Sequence, residues 1–361
     1  MITKVDNKIT DLVEILGKNL SWNLARKKFL AFFVCSITKL QTVCFVKIAQ
    51  DLNPDVKHES NLRRIQRFFS DFIVDHDIIA KLLFSLLPSQ NQYKLCLDRT
   101  NWKYGKADIN ILVLSACYQG LSIPLLWKML PKSGNSNSEE RKELLCNYIR
   151  LFGTNTIHSL LADREFIGDD WFDNLIFSQV PFFIRIRNNM KVKKPGKKTK
   201  KAFWLFNDLP LNTPRYFRKP LYIKNQLVYL SGLKVANSDN KIEFVIIAAY
   251  NYDGQALEHY SDRWQTETMF KALKSSGFNF EQTHLSDPDK ISKLLAVMSI
   301  AFIWAYRIGV YIHKNICPIK IKKHGRKAYS FFKYGLIALA KALLSNDYQT
   351  FSKYLKFLSC T

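Results

Sequence analysis

The chain has 361 residues, 47% of them aliphatic, aromatic or sulfur-bearing, which excludes a disordered polymer and allows a substantial core in two or three structural units. Lysine and arginine number 54 against 30 acidic residues, a net charge of +24, so the expected partner is a polyanion, with nucleic acid ahead of an anionic membrane surface. Seven cysteines without a C-x-x-C pair exclude a disulfide frame and a cysteine zinc site, and are read as buried thiols in a reducing compartment.

The N-terminus MITKVDNKITDLVEILGKN is polar and offers no signal-peptide core. The most apolar run, Leu294 to Tyr306, is 13 residues long against the ~20 needed to cross a bilayer, and is expected as a buried helix in a cytoplasmic protein. Residues 1–86 read as helical throughout. Ser21 is placed as the cap of a helix running to Lys39, followed by a short helix at 45–52, a break around Pro54 and a helix at 60–72. The last pair, carrying Arg63, Arg64 and Arg67, fits a helix-turn-helix DNA reader, with a basic three-helix bundle as the purely structural alternative.

After a break at Pro88–Gln92 the pattern turns to strands. They are expected at 93–100 with its end at Asp98, at 107–120, and at 121–130 after a hairpin turn at Gly120. The run Pro131–Ser138 reads as a loop and Glu139–Phe152 as an amphipathic helix. The run 156–166 gives a fourth strand ending at Asp163, a helix covers Trp171–Ser178, and a fifth strand covers 180–188. Antiparallel strands followed by helix-linked ones predict an α/β fold, a mixed sheet flanked by helices. Carboxylates ending adjacent strands of such a sheet can share a crevice.

Residues 190–250 interrupt this order. Seven lysines fall between Lys191 and Lys201 around Pro195 and Gly196, read as a mobile basic loop. The segments AFWLFNDL, PLYIKNQLVYLSGLKV and KIEFVIIAAY alternate like strands of a β insertion. Tyr252 to Gly277 then reads as one helix, with Asp253 as N-cap and Gly277 as a left-handed stop. Tyr260, Arg263, Glu267 and Lys274 fall within a stripe about 60° wide on it, and Phe270, Met269 and Leu273 on an adjoining apolar arc. A stripe of this kind is by itself usually a solvated face with i,i+4 pairs. Beyond lie a long buried helix begun by Asp287 and Pro288, then a basic tail with a helix from about Leu336 to Leu344.

What sets the stripe apart is its combination with Asp98 and Asp163. Breaking a phosphodiester by in-line attack requires an activated nucleophile and a stabilised leaving oxygen, and two Mg²⁺ held by carboxylates serve both. Asp98, Asp163 and Glu267 form such a set, and Tyr260, Arg263 and Lys274 supply groups that grip phosphates.

These residues also carry a family resemblance. LDRTNWKYG around Asp98, LADREF around Asp163 and Y260-x2-R263-x3-E267-x6-K274 resemble the three signature regions of bacterial insertion-sequence DDE transposases of the "IS four" family, marked by the YREK motif. The resemblance covers roughly residues 90–335, with ILVLSACYQGLSIPLLW and KKHGRKAYSFFKYGL among the similar segments.

It implies a ribonuclease-H-like catalytic domain over 87–310 with its β insertion at about 190–250; the residues themselves are read as an all-α DNA-binding domain before it (1–86) and a basic helical segment after it (311–361). It implies that Asp98, Asp163 and Glu267 hold two Mg²⁺, with Mn²⁺ as substitute, and that Tyr260, Arg263 and Lys274 contact phosphates of the element ends. Arg164 and Arg185 or Arg187 match family positions near DNA. The implied activity is endonucleolytic: 3′ nicking, a hairpin step, then joining of 3′ ends to target DNA, by a homodimer assembled on two ends in the bacterial cytoplasm at the nucleoid. Where some members place a base-stacking tryptophan, this chain has Phe244, and Trp204 is a second aromatic candidate more simply read as packing.

Other residues take structural readings. Glu165 is expected to pair with a neighbouring cation, and His284 lacks metal-ligand spacing. Trp102 is open between DNA contact and packing. Two further functions stand beside the transposase: a DNA-binding regulator of transposition without catalysis, and a ribonuclease-H-like nuclease that cuts but never joins strands.

Overall fold

The structure, a computed structural model, describes residues 4–53, 55–237, 239–323 and 325–359. Pro54 and Cys360, both used in the sequence reading, lie outside them. The chain divides into two compact units: Met1–Ser89 with Asn101–Ile109 and Thr268–Thr361, and Gln90–Thr100 with Asn110–Glu267.

The second unit is built on a mixed sheet. The strands of this sheet, of which the end of β1 and the start of β2 (Asn101–Ile109) belong to the first unit, are β1 (Tyr93–Tyr104), β2 (Ala107–Tyr118), β3 (Leu121–Met129), β4 (Ile157–Ala162), β5 (Phe182–Ile186), β6 (Lys191–Lys193), β7 (Lys200–Lys201), β8 (Arg215–Tyr216), β9 (Leu221–Ile223), β10 (Gln226–Ala236) and β11 (Ile242–Ala249). They lie in the order β3-β2-β1-β4-β5-β11-β10-β9-β6-β7, with β8 on β10. The β4 strand runs parallel to both β1 and β5, whereas β3 pairs antiparallel with β2 and β11 with β5. The mixed α/β architecture expected from the sequence is thus the one observed.

Local chemistry accounts for the details. Pro124 sits in the outermost strand, opposite Ser115 beside a register shift, where a missing N–H is tolerated. The helix Ser138–Phe152 starts with a capping box, Asn137 accepting from the Glu140 N–H and Glu140 from the Asn137 N–H. Asp98 does not end its strand: β1 continues six residues further, to Tyr104.

The β insertion contains two corrections. AFWLFNDL is no strand, since Ala202–Leu205 forms a 3₁₀ turn. The lysine-rich segment is not a loop but a hairpin, β6 against β7. Its turn follows from Pro195 and Gly196: the proline holds φ near −65°, the glycine takes φ 69°, and Lys197 N–H closes on Lys194 O at 3.0 Å, a type II turn.

The expected single helix Tyr252–Gly277 is broken. It consists of a helix Ala256–Ser261, a turn at Asp262–Arg263, a helix Trp264–Lys271, and a π-helical stretch Ala272–Ser276. Asp253 accepts from the Gln255 N–H without capping the first helical residues, and Gly277 has φ −137°, outside the left-handed region. Glycine is required there by space: a Cβ would lie 2.6 Å from the Phe332 ring and against the Ala272 carbonyl.

Numbered along the chain, the helices set among the strands are α6 (Ser138–Phe152), α7 (Asp169–Phe177), α8 (Ala256–Ser261) and α9 (Trp264–Lys271), and the first unit is helical: α1 (Lys4–Gly17), α2 (Leu24–Leu40), α3 (Phe45–Asp51), α4 (His58–Asp71), α5 (His76–Ser85), α10 (Pro288–Asn315), α11 (Phe331–Leu344) and α12 (Tyr348–Leu355). Asn23, not Ser21, caps α2, its side chain accepting from Arg26 N–H at 2.9 Å. Asp287 caps α10 with Pro288 in the first turn, as the sequence indicates.

The 28-residue α10 is long and apolar enough to span a membrane, unlike its 13-residue apolar run Leu294 to Tyr306 taken alone, but its apolar surface is mostly buried. It packs on α2, α4, α5 and α11, and α1 packs on α2 and α12. Helices from both ends of the chain therefore share one core with residues 268–310. A helix apolar around its whole circumference needs neighbours on every side, and both ends of the chain supply them.

The thiols divide. Cys35, Cys96 and Cys117 are buried, Cys44 is half-buried, and Cys146 and Cys317 are exposed, contrary to the expectation of burial for all.

Candidate active site

The site begins with the register of β1 on β4. Leu97 is the parallel partner of Ala162, and Cys96 that of Leu161, so one further step sets Asp98 beside Asp163, just past the end of β4. Cys96 and Leu161, two residues back on their strands, therefore share a sheet face with the two aspartates. Both belong to a buried cluster with Cys117, Phe183, Ile247, Ala249, Ala256 and Tyr260. The helix Ala256–Ser261 is thereby seated on the face that carries the aspartates.

Seating that helix brings the stripe into place. Tyr260, 8% exposed, points its hydroxyl at Asp163 Oδ1, 3.4 Å away. Arg263 donates from one terminal nitrogen to Asp98 Oδ2 at 3.1 Å and from the other to Glu267. Burial pushes the Asp98 carboxyl up to about 6, against the opposing pull of Arg263 and of the Arg99 N–H, with Glu165 and Asp163 adding to the rise. Burial also disfavours the charge on Arg263, but the carboxylates of Asp98 and Glu267 outweigh it and hold the guanidinium firmly protonated. Burial raises the Tyr260 phenol, so it stays neutral.

Glu267 is placed from behind by hydroxyls. Thr266 is fully buried and lies 2.8 Å from Ser122 Oγ and 3.3 Å from Ser115 Oγ, which is itself 3.3 Å from the Cys96 carbonyl. This chain of hydroxyls pins the first turn of the helix Trp264–Lys271 to β2 and β3.

Arg99 forms a second support. Its guanidinium meets both oxygens of Glu165, at 3.2 and 3.3 Å, and donates to Asn110 Oδ1 at 3.0 Å and Asn135 Oδ1 at 3.4 Å. Asn110 in turn donates to the carbonyls of Lys132 and Gly134, and Arg141 holds the Glu165 carbonyl at 3.1 Å. The residue after Asp98 is thus tied to the second residue after Asp163. Glu165 pairs with a neighbouring cation, as expected. Nothing in the sequence singled out Arg99, Asn110 or Thr266; the only available signal was the adjacency of Arg99 to Asp98 and of Thr266 to Glu267.

The remaining predicted residues have the following surroundings. Lys274 lies in the helical unit, where its Nζ pairs with Glu281 at 2.6 Å, donates to Asn101 O at 3.2 Å and sits 5.6 Å above the Trp102 ring. Trp102 packs on Phe280 at 5.0 Å, and His284 edges onto Tyr104 at 5.4 Å. Arg164 and Arg187 are exposed, and Arg185 pairs with Glu243. Phe244 faces away from Tyr260: the adjacent Val245 packs on the Tyr260 cluster, while the Phe244 ring lies 5.8 Å from Phe203. Trp204 is 58% exposed, which removes the packing reading for most of its ring, although it stacks on Phe203 at 4.9 Å. In α4, Arg63 and Arg67 are exposed and Arg64 leans 5.8 Å over Phe29. A groove of about 580 Å³ runs past Tyr260 and Arg263, walled by Arg185, Tyr216, Leu257 and Trp264.

Three carboxylates, two of them sharing one guanidinium, leave surplus negative charge, and an all-oxygen donor set suits a hard divalent cation. Among the described residues, no three His, Cys, Asp or Glu side chains are arranged to hold an ion as they stand. Arg263 already bridges Asp98 and Glu267, so an arriving cation would compete with it for both.

A protein-family profile described as "Transposase DDE domain" matches residues 89–304, more than half of the chain. No curated protein matches.

Proposed function

The chain belongs to the transposase DDE-domain family, and we propose that it is a metal-dependent transposase of the "IS four", YREK type acting on the ends of an insertion sequence. The single observation carrying this reading is the parallel register that sets Asp98 beside Asp163 on the face where Arg263 joins Asp98 to Glu267.

In this reading Asp98, Asp163 and Glu267 would hold two Mg²⁺, and Mn²⁺ in their place. Such ions, when bound, supply a lowered pKa for the attacking water or 3′-hydroxyl and neutralise charge on the scissile phosphate. The protein's own groups do the rest. Asp98 must release its proton to serve as a ligand, and Arg263, freed from Asp98 and Glu267, turns its fork to a phosphate oxygen. Tyr260, neutral, donates a hydrogen bond to a neighbouring phosphate, and Lys274 contributes a point charge. The groove past Tyr260 and Arg263 takes the DNA strand, with Arg164, Arg185 and Arg187 along its approach.

Nicking of the 3′ ends, a hairpin step and joining to target DNA complete the proposed sequence, carried out by a homodimer on two ends in the bacterial cytoplasm. The domain roles are proposed likewise. Residues 1–86 would read DNA through the α3–α4 pair with Arg63, Arg64 and Arg67, residues 87–310 would cut, and the basic segment 311–361 would add contacts.

The test is incubation with duplexes carrying the inverted repeats that flank the gene, with Mg²⁺, resolving nicked, hairpin and joined products on one gel. Asp98→Asn, Asp163→Asn and Glu267→Gln should each abolish nicking while leaving end binding largely intact. Normal nicking by any one of the three removes that residue from the catalytic set. Nicked but never joined products from the parent protein make it a nuclease instead.

A further inference from the structure

The hairpin of β6 and β7 has a charge distribution that the fold itself does not explain. All seven of its lysines, Lys191, Lys193, Lys194, Lys197, Lys198, Lys200 and Lys201, are exposed. Among the described residues none of them meets a carboxylate; the one notable neighbour is the Phe217 ring, 5.4 Å beneath Lys194 Nζ. Two of them, Lys191 and Lys201, stand directly opposite each other in the ladder, an arrangement that destabilises a hairpin.

Lysines do protect the edge of a sheet from unwanted pairing, and β7 is the outermost strand. That role accounts for Lys200 and Lys201. It does not reach Lys194, Lys197 and Lys198, which lie in the turn region where there is no ladder to protect. Together with Lys200, these three rim a cavity of about 420 Å³ floored by Val192, Leu205 and Leu221.

We propose that this hairpin is a duplex-DNA docking surface that grips phosphates away from the scissile bond. The choice of DNA over other polyanions rests on the transposase reading; the geometry contributes an exposed, uncompensated array of cations. Repulsion among the lysines is then relieved only in the complex, where each phosphate contact releases a condensed counterion.

The experiment measures binding of the full-length protein to a 30-base-pair duplex of arbitrary sequence, without divalent ions, across a salt series. The quadruple variant Lys194→Gln, Lys197→Gln, Lys198→Gln, Lys200→Gln should weaken binding and flatten the dependence of log affinity on log salt by about 3 to 4, at ~0.9 per phosphate contact. Its melting temperature without DNA should equal the parent's, or exceed it at low salt, because repulsion has been removed.

A salt slope equal to the parent's overturns the proposal, and a lowered melting temperature shows that the lysines are structural and overturns it too. If the parent binds vesicles containing phosphatidylserine through these lysines, and the duplex slope is unchanged, the surface is a membrane contact instead. Failure of the parent to bind any duplex sinks the transposase reading itself; a parent that binds with an indifferent variant sinks only the hairpin.

Discussion

Replacing Arg99 by methionine keeps a similar stem and removes four hydrogen bonds, two to Glu165 and one each to Asn110 and Asn135. The Arg99 and Glu165 side chains are 14% and 23% exposed, too buried for a screened surface pair and too open for a fully desolvated one. Contacts of 3.0–3.4 Å are long for charge-assisted bonds, so each lies at the low end of its range. Removing all four, with Glu165 able to recover some water, should cost about 2–3 kcal/mol of stability. Glu165→Gln keeps one acceptor and loses the charge, costing about 1 kcal/mol. Urea unfolding of both singles and the double should give a coupling energy of about 1–2 kcal/mol. If Arg99 positions the two aspartates, Arg99→Met should also slow nicking of an end duplex more than it weakens binding to it, and Arg99→Lys should recover only part because it lacks the fork. Additive single effects would refute mutual support. Unchanged nicking alongside lost stability would reduce Arg99 to a packing role.

Two other consequences follow from the same site. Thr266→Val keeps shape but deprives Ser122 and Ser115 of a buried partner, and should cost about 1–2 kcal/mol and reduce nicking, with DNA affinity unchanged and Thr266→Ser restoring both. Asp98 takes up its proton more readily when folded, at about 6 against 3.8 unfolded. Its contribution is therefore fully present below the unfolded value and is lost as pH rises through about 6. Without divalent ions, Asp98→Asn should gain stability relative to the parent between pH 4 and 7, by about 2–3 kcal/mol in urea melts at the two pH values. A pH-independent difference would show that the Asp98 carboxyl is not perturbed by its burial.

The mixed sheet was legible in the chain because strand alternation and the hairpin turn at Gly120 are local signals, whereas the lysine-rich hairpin was not. The stripe of Tyr260, Arg263 and Glu267 was visible for the same reason, and it survives although the helix beneath it breaks at Asp262–Arg263. A helical period over one or two turns places residues on a face whether or not the helix continues. Pairings that depend on register or on distant partners were not legible. Leu97 opposite Ala162, Arg99 on Glu165 and Thr266 on Ser122 join residues 65, 66 and 144 positions apart.

Phe244 shows how narrow the margin is. The sequence put it in the right strand, but side chains alternate with a period of two, and only the pairing of β11 decided which face it took. The sequence by itself determined which residue types are available and on which elements. The tertiary structure decided which of them meet: contact is a property of sheet register and helix seating, set by burial of the whole core rather than by any local stretch.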